Sequence, residues 1–364
     1  MKRRFIVVCG LCLIALAVGL STWNTMSRKS ESKTSVFWGV DASGQTGSSA
    51  KAYNLFRSKI GHSPQIFAWQ SDWDQSFPKR WCKTLLNQGA IPLIFWEPWV
   101  PIDREAITLD VIASGQWDDY ISEWAKSLAS IEYPVLVSLA PQFNTPEFPW
   151  GVEKNKKSPE KYIAAYRHVV DIFRREGAHN AVWVWSGQAS AFPKRHWNSW
   201  SAVYPGDAYV DWIGISATNK GTQSAWTRWQ SLESILTEAL AEIRSHFPDK
   251  PVMITRLAST SVGGDQSQWF KSIPSFLQSS LQDIKAIVFG FEEVGDYRLS
   301  EASEKSLSLV LENPLFEGDI DGFGSVKATV SAQRKYTMSS TVQPPVIDGN
   351  LAEWQDVALG EILG

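Results

Sequence analysis

Val135-Leu136-Val137-Ser138-Leu139-Ala140, a stretch of helical period from Ser158 to Phe173, and Ala181-Val182-Trp183-Val184-Trp185 read as one strand, one helix and one more strand. In the middle piece Tyr162, Ala165, Tyr166, Val169, Val170 and Phe173 recur at the i, i+3, i+4, i+7 spacing that gathers side chains on one helix face. Ser158-Pro159 serves as cap and first residue, and Gly177 falls just past the end. Outward from this unit the alternation repeats. Trp117, Tyr120, Ile121, Trp124, Ala125 and Leu128 mark the preceding helix in the same way. The remaining strands are Val36 to Val40, Gln65 to Ala68, Ile91 to Trp96, Val210 to Ile215, Val252 to Thr255 and Ile284 to Phe291. Short apolar strands separated by helices are the pattern of a parallel sheet wrapped by helices. Eight such strands predict an α/β fold, a (β/α)8 TIM barrel, although counting alone leaves a doubly wound open sheet as the alternative.

The termini add two smaller pieces. Lys2, Arg3 and Arg4 precede an apolar run from Phe5 to Leu20, the layout of an export signal. With Ser21, Thr22 and Trp23 that run is nearly long enough to span a bilayer, so residues 1–23 read as a signal peptide or membrane anchor. Ala17-Val18-Gly19 is the small-residue stretch at which a signal would be cut. Asn24 to Ser35 reads as a polar linker. The barrel then occupies 36–314, closed by a helix near Glu301 to Glu312 and by Pro314, and 315–364 form a C-terminal extension. These readings place the chain outside the cytoplasm, at the envelope or beyond it.

Composition narrows the chemistry. Lys and Arg number 35 against 38 Asp and Glu, a net charge of -3 that offers nothing to a polyanion, so nucleic acid is not an expected partner. Only Cys82 among three cysteines lies in the folded part, and the five histidines are scattered, so neither a disulfide nor a metal or other cofactor is expected. The unusual count is 19 Trp, since indole faces serve equally as core filler and as stacking surfaces for sugars.

In a (β/α)8 barrel the site lies at the C-terminal ends of the strands. The residues reached there are Asp41, then Asp72 and Asp74, then Glu97, then Gln142 and Asn144. Ser186 and Gln188, Ser216 and Asn219, Arg256, and Glu292 with Glu293 complete the circuit. This rim is polar, aromatic and poor in histidine, which suits a glycan groove better than a Ser-His-Asp triad.

Several segments carry a resemblance. Ile91-Pro92-Leu93-Ile94-Phe95-Trp96-Glu97-Pro98-Trp99, Ala178 to Ser186 and Tyr204-Pro205-Gly206-Asp207 resemble the third, fifth and sixth strand regions of glycoside hydrolase family 26, mostly endo-β-1,4-mannanases. The similarity runs from Val36 to Arg298. Where that family reads His-Glu-Met-Asn-Gly and then aromatic-Pro-Trp-Gly, this chain has Pro141-Gln142-Phe143-Asn144-Thr145 and Phe148-Pro149-Trp150-Gly151. The resemblance therefore puts Gln142 at the proton-donor position. Pro251-Val252-Met253-Ile254-Thr255-Arg256 likewise puts Arg256 at the nucleophile position. Val346-Ile347-Asp348-Gly349-Asn350-Leu351-Ala352-Glu353-Trp354 resembles the opening of family 9 carbohydrate-binding modules, with a strand-and-turn appendage as the ordinary alternative.

A retaining glycosidase needs one carboxyl to protonate the leaving oxygen and another to attack the anomeric carbon. An amide has no such proton, and a guanidinium is a cation that opposes the positive transition state. The resemblance thus implies a partner that is a β-linked polysaccharide or oligosaccharide, held by a carbohydrate-binding or scaffold protein. The alternative is a β-mannanase or related β-glycanase using other rim acids, with Glu97 and Glu293 foremost, then Glu147 and Glu292. Sugar contacts are expected from Trp99, Asn144 and Trp150, and also from Trp96 and Trp185. Arg256 is expected to pair with a rim carboxylate such as Glu97, or to fork an anionic sugar group.

Overall fold

The structure, a computed structural model, describes residues 35–43, 50–104, 107–131, 133–280, 284–291 and 296–316. The signal or anchor, the linker before residue 35 and nearly all of the C-terminal extension lie outside the described residues, as do Glu292 and Glu293. Among the described residues no helix is long and apolar enough to cross a membrane.

The first half runs β1 (Phe37–Asp41), α1 (Ala50–Ile60), β2 (Ile66–Asp72), α2 (Lys79–Asn87), β3 (Ile91–Glu97), α3 (Leu109–Ala113), α4 (Asp118–Ala129) and β4 (Val135–Leu139). The second runs α5 (Pro159–Arg175), β5 (Ala181–Gln188), α6 (Trp200–Val203), β6 (Trp212–Asn219), α7 (Leu232–His246), β7 (Val252–Ser259), α8 (Gln266–Lys271), α9 (Ile273–Ser280), β8 (Ile284–Gly290) and α10 (Glu301–Leu311). The eight strands pair in parallel and in chain order, and β8 returns to β1. This is a closed (β/α)8 barrel, so the open-sheet alternative falls.

Side chains alternate across each strand, and closure turns that alternation into two separate cores. Phe37, Ile66, Ala68, Ile91, Leu93, Phe95, Leu136, Val182, Val184, Trp212, Met253, Ala286 and Val288 fill the barrel interior. The opposite parity, including Trp38, Trp69, Trp96 and Trp185, packs outward against the helices. There Tyr162, Tyr166, Val169, Val170 and Phe173 of α5 are all buried, each contributing about 1.5–3 kcal/mol where aliphatic or Phe. Close strand approach also demands a glycine at position 39, where a Cβ would lie 2.3 Å from the Ile66 carbonyl oxygen.

Several strands run further than their apolar cores. β2 continues to Asp72, β5 to Gln188, β6 to Asn219 and β7 to Ser259. Their last residues are polar, yet the ladder persists: Gln70 pairs with Phe95, Asp72 with Glu97, and Asn219 with Ser259. Apolarity marks where side chains are buried, whereas the ladder marks where backbones meet. The rim residues are consequently held on strand ends more often than on loops.

Candidate functional site

Strand parity decides what faces the barrel mouth. From Phe37 two steps at a time the interior face of β1 reaches Asp41. From Ile66 that of β2 reaches Gln70 and Asp72, from Ile91 that of β3 reaches Glu97, and from Val182 that of β5 reaches Gln188. On β7 a one-residue slip between Ile215 and Ser216 skips Thr255 and pairs Arg256 with Ser216. Past β4 the chain turns through two left-handed residues, Ala140 (φ 45) and Gln142 (φ 59), uncommon for side chains that carry a Cβ. The Gln142 N–H donates to the Ser186 carbonyl at 2.8 Å, and Tyr162 donates its hydroxyl to the Ala140 carbonyl at 3.0 Å.

Two pairings define the mouth. Gln188 donates its side-chain amide to Gln142 Oε1 at 2.6 Å. Arg256 donates to Asp41 Oδ2 at 2.6 Å, with Asp41 only 1% exposed and its Oδ1 taking the Ser43 N–H at 2.8 Å. Arg256 lies on β7 and Asp41 on β1, so the arm must cross β8. It does so over Gly290, where any Cβ would sit 2.8 Å from Arg256 Cγ. The expected partner of Arg256 is a rim carboxylate, Glu97 being the example named, and the rim carboxylate it pairs with is Asp41. Parity explains the choice of Asp41, which ends an interior run on the strand just beyond β8.

Glu97 is buried and accepts from Gln70 Nε2 at 2.5 Å. Burial first, then the negative charges of Asp72 and Asp41, hold its carboxyl well above the ordinary glutamate range, against the opposing pull of Arg104 and Gln70. Glu97 therefore keeps its proton at pH values where an exposed Glu has lost it. Asp72 takes the indole N–H of Trp99 at 2.7 Å and the shared Gln70 amide at 3.2 Å. At the mouth Asp41 is thus paired with a cation, Asp72 is held by neutral donors, and Glu97 is biased toward its protonated form. The half-buried amides of Gln70, Gln142 and Gln188 supply the remaining neutral hydrogen-bonding groups.

The aromatic expectations need correction. Trp96 and Trp185 are fully buried on the outward parity, stacked on Trp124 (centroids 4.2 Å apart) and Phe143 (4.6 Å) respectively. With those faces taken, they pack the wall between strands and helices and offer no sugar platform. Trp150 is also buried, stacked on Phe148 at 4.8 Å and donating to the Pro141 carbonyl at 2.6 Å, so it braces the turn that carries Gln142. Trp99 packs edge-on against Trp150 at 5.2 Å, beneath the Arg104 guanidinium at 4.3 Å. Asn144 is buried too, and it clamps Gln188 through both backbone groups, at 2.8 and 2.9 Å. Glu147 is exposed. Glu293 lies outside the described residues, as already noted. Gln70 escaped the sequence reading because it precedes the strand end, though counting in twos from Ile66 reaches it. Among the described residues, no three His, Cys, Asp or Glu side chains are grouped to hold a metal ion.

Residues 111–285 match the model of glycosyl hydrolase family 26. Endoglucanase H of Acetivibrio thermocellus is 29% identical over 309 residues, which are 84% of this chain and 33% of that protein. The chain therefore spans about a third of that relative's length. Among solved structures, a family 26 β-mannanase from Bacteroides ovatus superposes with a TM-score of 0.58 at 15% identity, covering 78% of this chain and 90% of the other. A modular endo-β-1,4-mannanase from Cellulomonas fimi gives 0.61 at 13% identity, covering 79% and 73%. At such identities the structural likeness is one of fold.

Proposed function

Since residues 111–285 match the model of glycosyl hydrolase family 26, we propose that this chain is an exported glycan-binding or scaffold protein that holds a β-linked polysaccharide without cleaving it by double displacement. One observation carries the reading: the side chain at the resemblance's acid position is an amide bonded to Gln188, and the one at its nucleophile position is a guanidinium bonded to Asp41. Retaining cleavage asks for two carboxyls about 5–5.5 Å apart, one with a proton to give and one free to attack. Gln142 has no such proton, and Arg256 is a cation with its arm fixed across β8. A neutral array of amides suits hydroxyl groups better than it suits bond breaking. In this reading residues 1–23 direct export or anchor the chain, and the protein serves envelope or exopolysaccharide metabolism.

A second reading, an active β-glycanase, is favoured by the raised proton affinity of Glu97 beside Asp72 and Asp41, because a carboxyl that holds its proton more tightly is what a general acid requires. One experiment separates the two. Purified protein is incubated with mannan, glucomannan and cello-oligosaccharides, and both retention and product release are followed. The binding reading expects retention with no new reducing ends. Release that disappears in Glu97→Gln replaces it with the second.

A further inference from the structure

Trp226, in the loop after β6, is 95% exposed and is the largest apolar side chain so displayed among the described residues. The loop that carries it is tied down at several points. Asn219, itself fully buried, accepts from the backbone N–H groups of Gly221 and Gln230, fixing both ends. The Thr222 N–H donates to the Val262 carbonyl in the loop after β7. Gln223 donates to Asp296 at 2.9 Å and accepts from the Tyr297 hydroxyl at 3.0 Å, beyond β8. Within the turn the Trp226 N–H reaches Ser224 Oγ, and the Ser224 N–H reaches Thr227 Oγ1. So braced a loop fixes the backbone that carries the indole, which lowers the loop-ordering cost at the moment of binding.

The neighbouring loop presents a second ring. β5 pairs with β6, and Phe192 in the loop after β5 is 68% exposed. Its N–H donates at 2.9 Å to the carbonyl of Asn144, two residues from Gln142, so this loop is fastened to the candidate site itself. Both rings therefore belong to loops at the C-terminal end of the barrel, Phe192 after β5 and Trp226 after the adjacent β6.

We propose that Trp226, together with Phe192, is a stacking platform for the outlying units of an extended glycan whose inner units lie at the mouth. The proposal rests on the binding reading above and adds to it a place where chain length is read. The surroundings favour a sugar over a protein partner. Thr222, Gln223, Ser224 and Arg228 of the same loop are exposed and polar, so the apolar indole stands in a polar loop. A pyranose has the same division, with CH groups on its face and hydroxyls at its edge. A stable protein partner would ask for roughly 800 Å² per side with an apolar centre, far more than one ring on each loop supplies.

The test is titration of the purified protein with β-1,4-manno- and β-1,4-gluco-oligosaccharides of two to six units, followed by tryptophan fluorescence and by calorimetry. Trp226→Ala is expected to weaken binding of six units by roughly three- to tenfold and to leave binding of two units unchanged. Trp226→Phe should recover part of the loss, and Phe192→Ala should act in the same direction. Thermal melting of each variant confirms the fold. Unchanged affinity for six units in Trp226→Ala overturns the proposal, as does an equal loss at every length. A protein that binds none of these sugars overturns the binding reading and this proposal together. Sugar binding that survives while Trp226→Ala changes only self-association assigns the ring to a protein contact and overturns the proposal alone.

Discussion

At the level of single residues, the pair formed by Arg256 and Asp41 governs both chemistry and stability. Asp41 is almost wholly buried, and its Oδ2 is satisfied by Arg256. Taking away one member of a buried pair costs more than the pair contributes, because the other charge stays out of water without compensation. Arg256→Met should therefore destabilise the barrel by about 3–5 kcal/mol in urea unfolding, and adding Asp41→Asn should return much of it. Were Glu97 the partner, the second substitution would restore nothing. Gln142 and Gln188 differ in kind, since neither is charged and their bond is one amide to another, worth about 1 kcal/mol.

Among the elements, the strands carry the decisive information in their alternation. Odd and even positions on one strand face different cores, so Glu97 reaches the mouth while Trp96, its immediate neighbour, stacks on Trp124 of α4 at 18° between ring planes. Removing that ring opens a cavity between strand and helix. Trp96→Ala is expected to cost about 3–5 kcal/mol in denaturant unfolding and to leave any sugar contact at the mouth untouched except through stability. Tryptophan count and position along the chain do not distinguish these uses, whereas the parity of the strand does. The same parity was open to inspection in the sequence at Ile91, Leu93, Phe95 and Glu97. What hid Arg256 from it was the slip at Ile215 and Ser216, which no residue type announces.

For the whole molecule, the ionisation of one buried group sets a pH slope. The Glu97 carboxyl sits well above its ordinary value of 4.5 in the folded barrel, so the folded state holds the proton more tightly than the unfolded chain does. Stability from this group is complete below about pH 4.3 and declines as pH rises toward the folded value, levelling beyond it. Glu97→Gln abolishes that decline. Melting temperatures measured from pH 4 upward should show the variant gaining on the parent protein as pH rises, and parallel curves would mean that Glu97 ionises as an exposed carboxyl does. The sequence by itself determined the elements: strand and helix periods, their order, and which residue types stand at the strand ends follow from local spacing and the need to bury apolar faces, whereas closure of the eight strands rather than an open sheet was decided by the tertiary structure. Tertiary structure alone decided which rim groups meet. Closure brings β1 beside β8, and the β7 slip aims Arg256 across it to Asp41, a partner 215 positions away that no local rule connects. Burial, too, is a property of the assembled barrel, and it raised the proton affinity of Glu97 and turned most of the expected tryptophan platforms into walls.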